Sequence, residues 1–116
     1  MIEVYHNPRC GKSRNCLAFL ENTNQEYKII KYLEEVPSAE ELKALLKKLN
    51  MKPIELVRQK EKIWIEQFKG LNLTDEAVIE AMIQNPILIE RPIIIKGNKA
   101  IIAREEDKIE AFFKVE

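Results

Sequence analysis

Apolar positions follow two periods along this chain. Ile2 to Tyr5 alternate between apolar and other residues and include β-branched side chains, which predicts a short strand. Ser38 and Glu41 stand three residues apart, the spacing of a capping box at a helix start. The leucines after them recur at helical spacing and predict one buried helix face: Leu42, Leu45, Leu46 and Leu49.

The same reasoning assigns the remaining elements. Pro8 disfavours helix just before it, so the first helix begins only around Cys10 or Gly11 and runs to about Glu21. The other predicted elements are a strand over Tyr27–Tyr32, helical pieces from Pro53, Lys60 and Thr74, strands over Pro92–Ile95 and Ala100–Ala103, and a last helix from Glu105.

This order is β-α-β-α, a helical insert over about 53–85, then β-β-α. Two strands joined by a helix usually pair in parallel, and a strand pair around a tight turn is antiparallel. The order therefore predicts an α/β fold with a mixed four-stranded sheet of thioredoxin-like type, although other small α/β folds share it. We expect a single domain over residues 1–116, the insert included.

Composition narrows the function classes. Nineteen basic and nineteen acidic residues cancel, so the basic footprint that nucleic acids require is missing and we expect no nucleic-acid partner. No apolar run approaches the roughly 18 residues of a membrane span, and Met1–Tyr5 lack the basic start of a signal peptide. Two cysteines are too few to staple a secreted fold, which favours the cytoplasm. One histidine and two cysteines do not make a usual zinc site, so we expect no metal.

Cys10 is the most informative residue, because it stands where a strand ends and a helix begins. Unpaired N–H groups at a helix start lower a thiol pKa and favour the nucleophilic thiolate. The same groups can hold an oxyanion. The alternative is a small buried hydrophobic residue in a chance polar setting. Nearby residues that can carry positive charge are His6, Arg9, Lys12 and Arg14.

Three familiar loops almost match and fail. A phosphate-binding P-loop needs glycine where His6 stands, and a tyrosine-phosphatase loop needs arginine where Cys16 stands. A thioredoxin redox pair needs cysteine where Ser13 stands. Cys10 is therefore predicted to act as a lone nucleophile.

Cys16 is predicted to be a core residue beside Leu17 and Leu20. Six residues of helix rise about 9 Å, whereas a disulfide tolerates Cα separations of about 4.4–6.8 Å. Cys10 and Cys16 cannot bridge unless the first turn unwinds. A sulfur adduct on Cys10 must then be resolved by a thiol from outside the chain.

Several segments together resemble the ArsC-type, glutaredoxin-linked arsenate reductases. The loop His6-x-Pro8-x-Cys10-Gly11-x-Ser13-Arg14 is similar to the active-site loop of that family. Leu56-Val57-Arg58 resembles its Leu-x-Arg segment, and Arg104 stands where the family has another arginine. The segment from Asn85 to Ile93 resembles the family's Asn/His-Pro-x-Leu-x-x-Arg-Pro-Ile pattern.

The resemblance implies a cytoplasmic thiol enzyme with a thioredoxin-like fold. Cys10 would attack arsenate, helped by His6, Arg14 and Ser13, and glutathione and then glutaredoxin would complete the two-electron reduction to arsenite. No cofactor is expected to stay bound, since glutathione, glutaredoxin or another thiol serves as external reductant, and we expect a monomer. The residues implied to bind the oxyanion are Gly11, Arg58, Arg91 and Arg104, with a cis Arg91–Pro92 bond facing the cysteine.

Two other functions remain open at this point. The family includes thiol oxidoreductases without arsenate activity, and a sister branch, the Spx-type regulators, shares Arg-Pro-Ile and binds RNA polymerase. Those regulators usually carry a Cys-x-x-Cys switch, and Ser13 in the second position argues against it here. An inert thioredoxin-like domain, with an ordinary pKa at Cys10, is the third possibility.

Overall fold

The computed structural model describes residues 2–23 and 25–114 and contains a four-stranded mixed sheet. The strands lie in the order β2-β1-β3-β4; β1 and β2 are parallel and the other neighbours antiparallel. This confirms the predicted mixed sheet and its thioredoxin-like order. The strands are β1 (Ile2–Tyr5), β2 (Tyr27–Ile30), β3 (Ile93–Lys96) and β4 (Lys99–Ile102).

The helices follow the predicted order. They are α1 (Gly11–Asn22), α2 (Ala39–Leu49), α3 (Pro53–Leu56), α4 (Lys62–Gln67), α5 (Asp75–Gln84) and α6 (Glu106–Lys114). A 3₁₀ turn over Pro86–Leu88, where proline begins the turn, was not predicted. Among the described residues, no helix combines the length and apolar character needed to cross a membrane.

The chain forms two compact units. One contains the described residues up to Glu35 together with those from Arg91 onward, and the other is Val36–Glu90. The second unit begins before the predicted insert because α2 packs on α5 and so belongs with it. The expectation of one domain over residues 1–116 stays a prediction.

The core of the first unit lies between the sheet and its helices. Val4 on β1 and Ile94 on β3 are completely buried, as strands in the middle of a sheet require. Leu20 and Cys16 of α1 pack in the same cluster, which confirms the predicted core position of Cys16. Burying this face of α1 fixes the helix against the sheet, and with it the helix start.

Three strands differ from the prediction at their ends, since β3 runs over Ile93–Lys96 rather than Pro92–Ile95 and β4 over Lys99–Ile102 rather than Ala100–Ala103. β2 ends at Ile30 rather than Tyr32, because the Lys31 carbonyl accepts hydrogen bonds from the N–H groups of Glu34 and Glu35 at 2.9 and 2.8 Å and turns the chain. Tyr32 is still buried, with its ring stacked 5.9 Å from that of Tyr5.

β4 begins one residue earlier than predicted. Lys96 pairs with Lys99, which leaves a two-residue loop in which Gly97 has a φ of 61°. Glycine adopts this left-handed conformation without the steric penalty of a side chain.

The second unit depends on local capping. Ser38 and Glu41 exchange both hydrogen bonds of the predicted capping box, at 3.1 and 3.0 Å. Asn50, the residue after α2, caps the helix end with a left-handed φ of 56°. The Thr74 hydroxyl accepts a hydrogen bond from the Ala77 N–H and starts α5 as predicted.

Candidate active site

A tight turn after β1 sets the position of Cys10. The His6 N–H donates to the Ile30 carbonyl at 2.9 Å and extends the pairing of β1 with β2. The Asn7 side-chain oxygen then accepts from the Arg9 N–H, and the Asn7 carbonyl accepts from the Cys10 N–H, both at 3.0 Å. The turn delivers Cys10 to the N-cap of α1, where the prediction placed the helix start.

Asn7 is a residue that the functional interpretation of the sequence missed. It is 5% exposed, and its two hydrogen bonds shape the loop. The available signal was the Asn-Pro dipeptide, which favours turn initiation because an asparagine side chain bonds backbone two residues ahead.

Cys10 has an extended backbone (φ −95°, ψ 123°) and a partly exposed side chain. Burial raises the pKa of its thiol, but the N–H groups of Ser13 and Lys12, the Ser13 hydroxyl and the Arg104 charge together outweigh burial and lower it. The sulfur makes no capping hydrogen bond of standard geometry, so these N–H groups act as nearby dipoles rather than as formed bonds. The site therefore stabilises the thiolate relative to that of an ordinary cysteine.

Ser13 connects the loop to the thiol. It is fully buried, and its hydroxyl oxygen accepts a long hydrogen bond of 3.4 Å from the Asn7 N–H. The same hydroxyl helps to lower the Cys10 pKa. Ser13 thus occupies the second position of a Cys-x-x-Cys motif with a group that stabilises the thiolate and cannot form a disulfide with it.

Gly11 is the first residue of α1 and is exposed. A Cβ added there would lie 3.7 Å from the Arg14 Nη2, an ordinary contact. Local space does not demand glycine, and the role of Gly11 in binding stays a prediction.

Arg14 braces the loop. Its Nη1 donates to the Pro8 carbonyl at 2.9 Å, and its N–H makes the first helical hydrogen bond, to the Cys10 carbonyl at 3.1 Å. The positive charge identified as acting on the Cys10 thiol is that of Arg104. Sequence proximity had pointed to the neighbours of Cys10 in the loop instead.

The surroundings of His6 disfavour a positive charge on its ring. The side chain is 6% exposed, and burial, together with the charges of Lys31 and Arg14, lowers its pKa below the usual 6.5. The lowered pKa argues against a positive charge on His6 near Cys10, and the role of His6 beside the thiol stays a prediction. Within the described residues, its buried Nδ1 has no hydrogen-bond partner.

A hydrogen bond from side chain to backbone holds Arg104 against Arg91. Arg104 follows β4, and its Nη1 donates to the Arg91 carbonyl at 2.8 Å. The Arg91–Pro92 bond is cis, as the resemblance implied, and the Pro92 carbonyl accepts from the Ala103 N–H at 2.8 Å. The Nε and Nη1 atoms of Arg91 are buried. Arg104 thus makes a hydrogen bond to the cis-proline segment while its charge lowers the pKa of Cys10.

Arg58 lies in the second unit and is held by acids. Its Nη1 is 3.1 Å from Glu61 and its Nε 3.6 Å from Glu90, while its N–H donates to the Leu88 carbonyl at 2.7 Å. Neither Glu61 nor Glu90 was among the predicted site residues. Their ion pairs fix the guanidinium, and the role of Arg58 in oxyanion binding stays a prediction.

Cys16 is unsuited to nucleophilic attack. It is 1% exposed, and burial raises its pKa to about 12, so its thiolate is scarce at neutral pH. Both cysteines are free thiols. No group of three or more potential metal-ligating side chains is placed together within residues 2–23 and 25–114.

A sequence model of the ArsC family matches residues 5–112, nearly the whole chain. This protein belongs to the ArsC family. The match runs from the end of β1 into α6 and so includes the Cys10 loop and the cis-proline segment.

Individual ArsC-family proteins are similar over almost their full length. The chain is 42% identical to an uncharacterized Escherichia coli protein, YfgD, over 93% of this chain and 92% of that one. It is 36% identical to an arsenate reductase of Neisseria meningitidis, over 95% and 96% of the two chains. A solved arsenate reductase from Vibrio cholerae superposes with a TM-score of 0.89 at 40% identity, covering 95% of both chains.

Alkylation tests the contrast between the two thiols of this ArsC-family protein. We expect iodoacetamide to add one group to the native protein, at Cys10, and two after unfolding, because Cys16 is buried with a raised pKa. Intact-protein mass spectrometry counts the groups, and Cys10→Ser is the control that should take none when native. Rapid native labelling of Cys16 would contradict the assignment.

The single histidine gives a test of the neutral imidazole. We expect its ring protons in the NMR spectrum to titrate below 6.5, because burial and the charges of Lys31 and Arg14 disfavour the charged form. Between the folded and unfolded pKa values the unfolded chain binds a proton that the folded chain does not. The free energy of unfolding should thus fall as pH drops through that window, and a His6 pKa above 6.5 would refute this.

Proposed function

We propose that this ArsC-family protein is a thiol-dependent arsenate reductase with Cys10 as its nucleophile. The observation that carries the proposal is the position of Cys10 at the start of α1, where backbone N–H groups and Arg104 lower its pKa. The relatives from Neisseria meningitidis and Vibrio cholerae, which carry the name arsenate reductase, support the choice of substrate.

Charge is the main barrier to this reaction. Arsenate is a tetrahedral oxyanion with up to two negative charges near neutral pH, and a thiolate repels it. Guanidinium groups stay charged at every relevant pH and form fixed, bidentate hydrogen bonds to such oxygens. The action of the Arg104 charge on the thiolate supports a role for this residue in reducing the repulsion.

The first step is a condensation without change of oxidation state. The Cys10 thiolate attacks arsenic, a sulfur–arsenic bond forms, and one arsenate oxygen takes up protons and leaves as water. The N–H groups at the start of α1 stabilise the negative oxygens near the sulfur. Arsenic remains at the +5 level in the adduct.

Reduction requires a second sulfur, which must come from outside. Cys16 is buried and its pKa is about 12, so it cannot supply a thiolate. We propose that glutathione condenses on arsenic with loss of a second water, and that a glutaredoxin thiolate then attacks the glutathione sulfur. That sulfur–arsenic bond breaks and leaves its electron pair on arsenic, while a glutaredoxin–glutathione disulfide forms. Water then releases arsenite, and Cys10 returns to the thiol.

The remaining arginines are assigned to the oxyanion by their match to the family pattern. Arg91 precedes the cis-proline, and its carbonyl holds the Arg104 side chain. Arg58 is fixed by Glu61 and Glu90, which orders its guanidinium before any ligand binds. We also propose that the protein works as a monomer in the cytoplasm, where thiol donors are kept reduced.

Turnover tests the proposal directly. We expect arsenate-dependent oxidation of NADPH when glutathione, glutaredoxin and glutathione reductase are present. Cys10→Ser should abolish the rate, because no other thiol can attack, whereas Cys16→Ala should retain most of it. Arg104→Met should lower kcat/KM by about 10²-fold or more, the usual cost of removing a group that stabilises transition-state charge.

The outcomes separate the alternatives. Wild-type turnover no higher than that of Cys10→Ser would remove arsenate as the substrate. If the wild-type protein then still reduced glutathione mixed disulfides through Cys10, a non-arsenate thiol oxidoreductase would replace the proposal. Equal turnover by Cys10→Ser and wild type would remove Cys10 as the nucleophile.

A further inference from the structure

A cavity of about 370 Å³ runs along α1 from Lys12 to Asn22, and the chemistry above assigns no ligand to it. Its volume is within the range of small-molecule pockets. Its polar and charged lining residues are Lys12, Asn15, Asn22 and Arg104, and its apolar lining includes Phe19 and Ile109. All of them belong to the first compact unit.

The polar groups of this cavity suit an anion. Lys12 and Arg104 contribute two cations, and Asn15 and Asn22 contribute amide groups that both donate and accept hydrogen bonds. Among the described lining residues none is acidic, although the whole chain has as many acidic as basic residues. Phe19 and Ile109 add apolar surface. The lining therefore fits a small molecule with carboxylates and a short apolar part.

Two residues that line the cavity also act on the Cys10 thiol. Arg104 lines it, and the Arg104 charge acts on the Cys10 thiolate. Lys12 lines it too, two residues after Cys10, and the Lys12 backbone N–H contributes to the lowered Cys10 pKa. Lys12 stands two residues after Cys10 in the first turn of α1, so the Lys12 end of the cavity adjoins the loop that carries the reacting sulfur.

A second cavity, of about 350 Å³, borders the loop from His6 to Arg9 but fits a molecule with carboxylates less well. Arg9 and Lys31 line it, but so does Glu34, which would repel a carboxylate. Arg104 is not among its lining residues.

We propose that the cavity lined by Lys12, Asn15 and Arg104 binds the reducing co-substrate, a low-molecular-weight thiol that carries carboxylates. The proposal rests on the proposed function, because it assigns a place to the external thiol which that function requires. The bound thiolate attacks the arsenic of the Cys10 adduct, a second sulfur–arsenic bond forms, and a protonated oxygen leaves as water. Arsenic stays at the +5 level in this step and is reduced only when a further thiol attacks the sulfur of the bound thiol.

The binding step can be measured without any reaction. S-methylglutathione keeps both carboxylates of glutathione but has no free thiol. Titrated into isotope-labelled full-length protein, it should produce saturable NMR shifts of the Asn15 and Asn22 side-chain amides. Lys12→Gln should weaken binding by about two- to five-fold, as expected for one exposed ion pair. Lys28→Gln removes an exposed lysine outside the cavity and should leave the affinity unchanged.

Three results would overturn the site. They are the absence of saturable shifts, shifts confined to the second cavity at Lys31–Glu34, and equal affinity for the wild type and Lys12→Gln. An S-methylglutathione ester with one carboxylate blocked should bind more weakly, and equal binding would remove the assigned anion recognition. The titration contains no arsenate and is independent of the turnover assay. If the wild-type protein turns over arsenate but does not bind S-methylglutathione, only this site is contradicted. Normal binding without turnover would instead contradict the proposed function.

Discussion

The opposition between burial and the first turn of α1 governs the behaviour of Cys10. Burial disfavours the thiolate, while the N–H groups of Lys12 and Ser13, the Ser13 hydroxyl and the Arg104 charge favour it and prevail. The balance depends on backbone geometry, because the Asn7 turn and the buried face of α1 place the sulfur at the helix start. A change that moves this start by one residue would remove the dipoles from the sulfur.

Much of the fold could be predicted because its signals are local. The capping box of Ser38 and Glu41 and the hydroxyl cap of Thr74 involve residues three apart, and both form as expected. The end of β2 was harder to predict, since the Lys31 carbonyl accepts two backbone hydrogen bonds that no side-chain pattern encodes. The Pro86–Leu88 turn was missed although the Asn85-Pro86 dipeptide at its start favours turn initiation.

The candidate site divides along the same line. The helix-start position of Cys10 and the buried Cys16 followed from sequence spacing. The positive charge that acts on the Cys10 thiol could not be found from spacing, because it belongs to Arg104, which stands far along the chain. The lowered pKa of His6 was also hidden, since it depends on burial and on Lys31, which follows the neighbouring strand β2. Sequence proximity counts charges near a residue but does not show desolvation or tertiary neighbours.

The most direct test of the stabilised thiolate is its ultraviolet absorbance as a function of pH, taken as the difference between wild type and Cys10→Ser. The account predicts that Cys10 ionises at a lower pH in the folded protein than in the same chain unfolded in denaturant. It also predicts that Ser13→Ala moves the folded midpoint upward, because one stabilising hydroxyl is lost. A folded midpoint at or above the unfolded one would contradict the account.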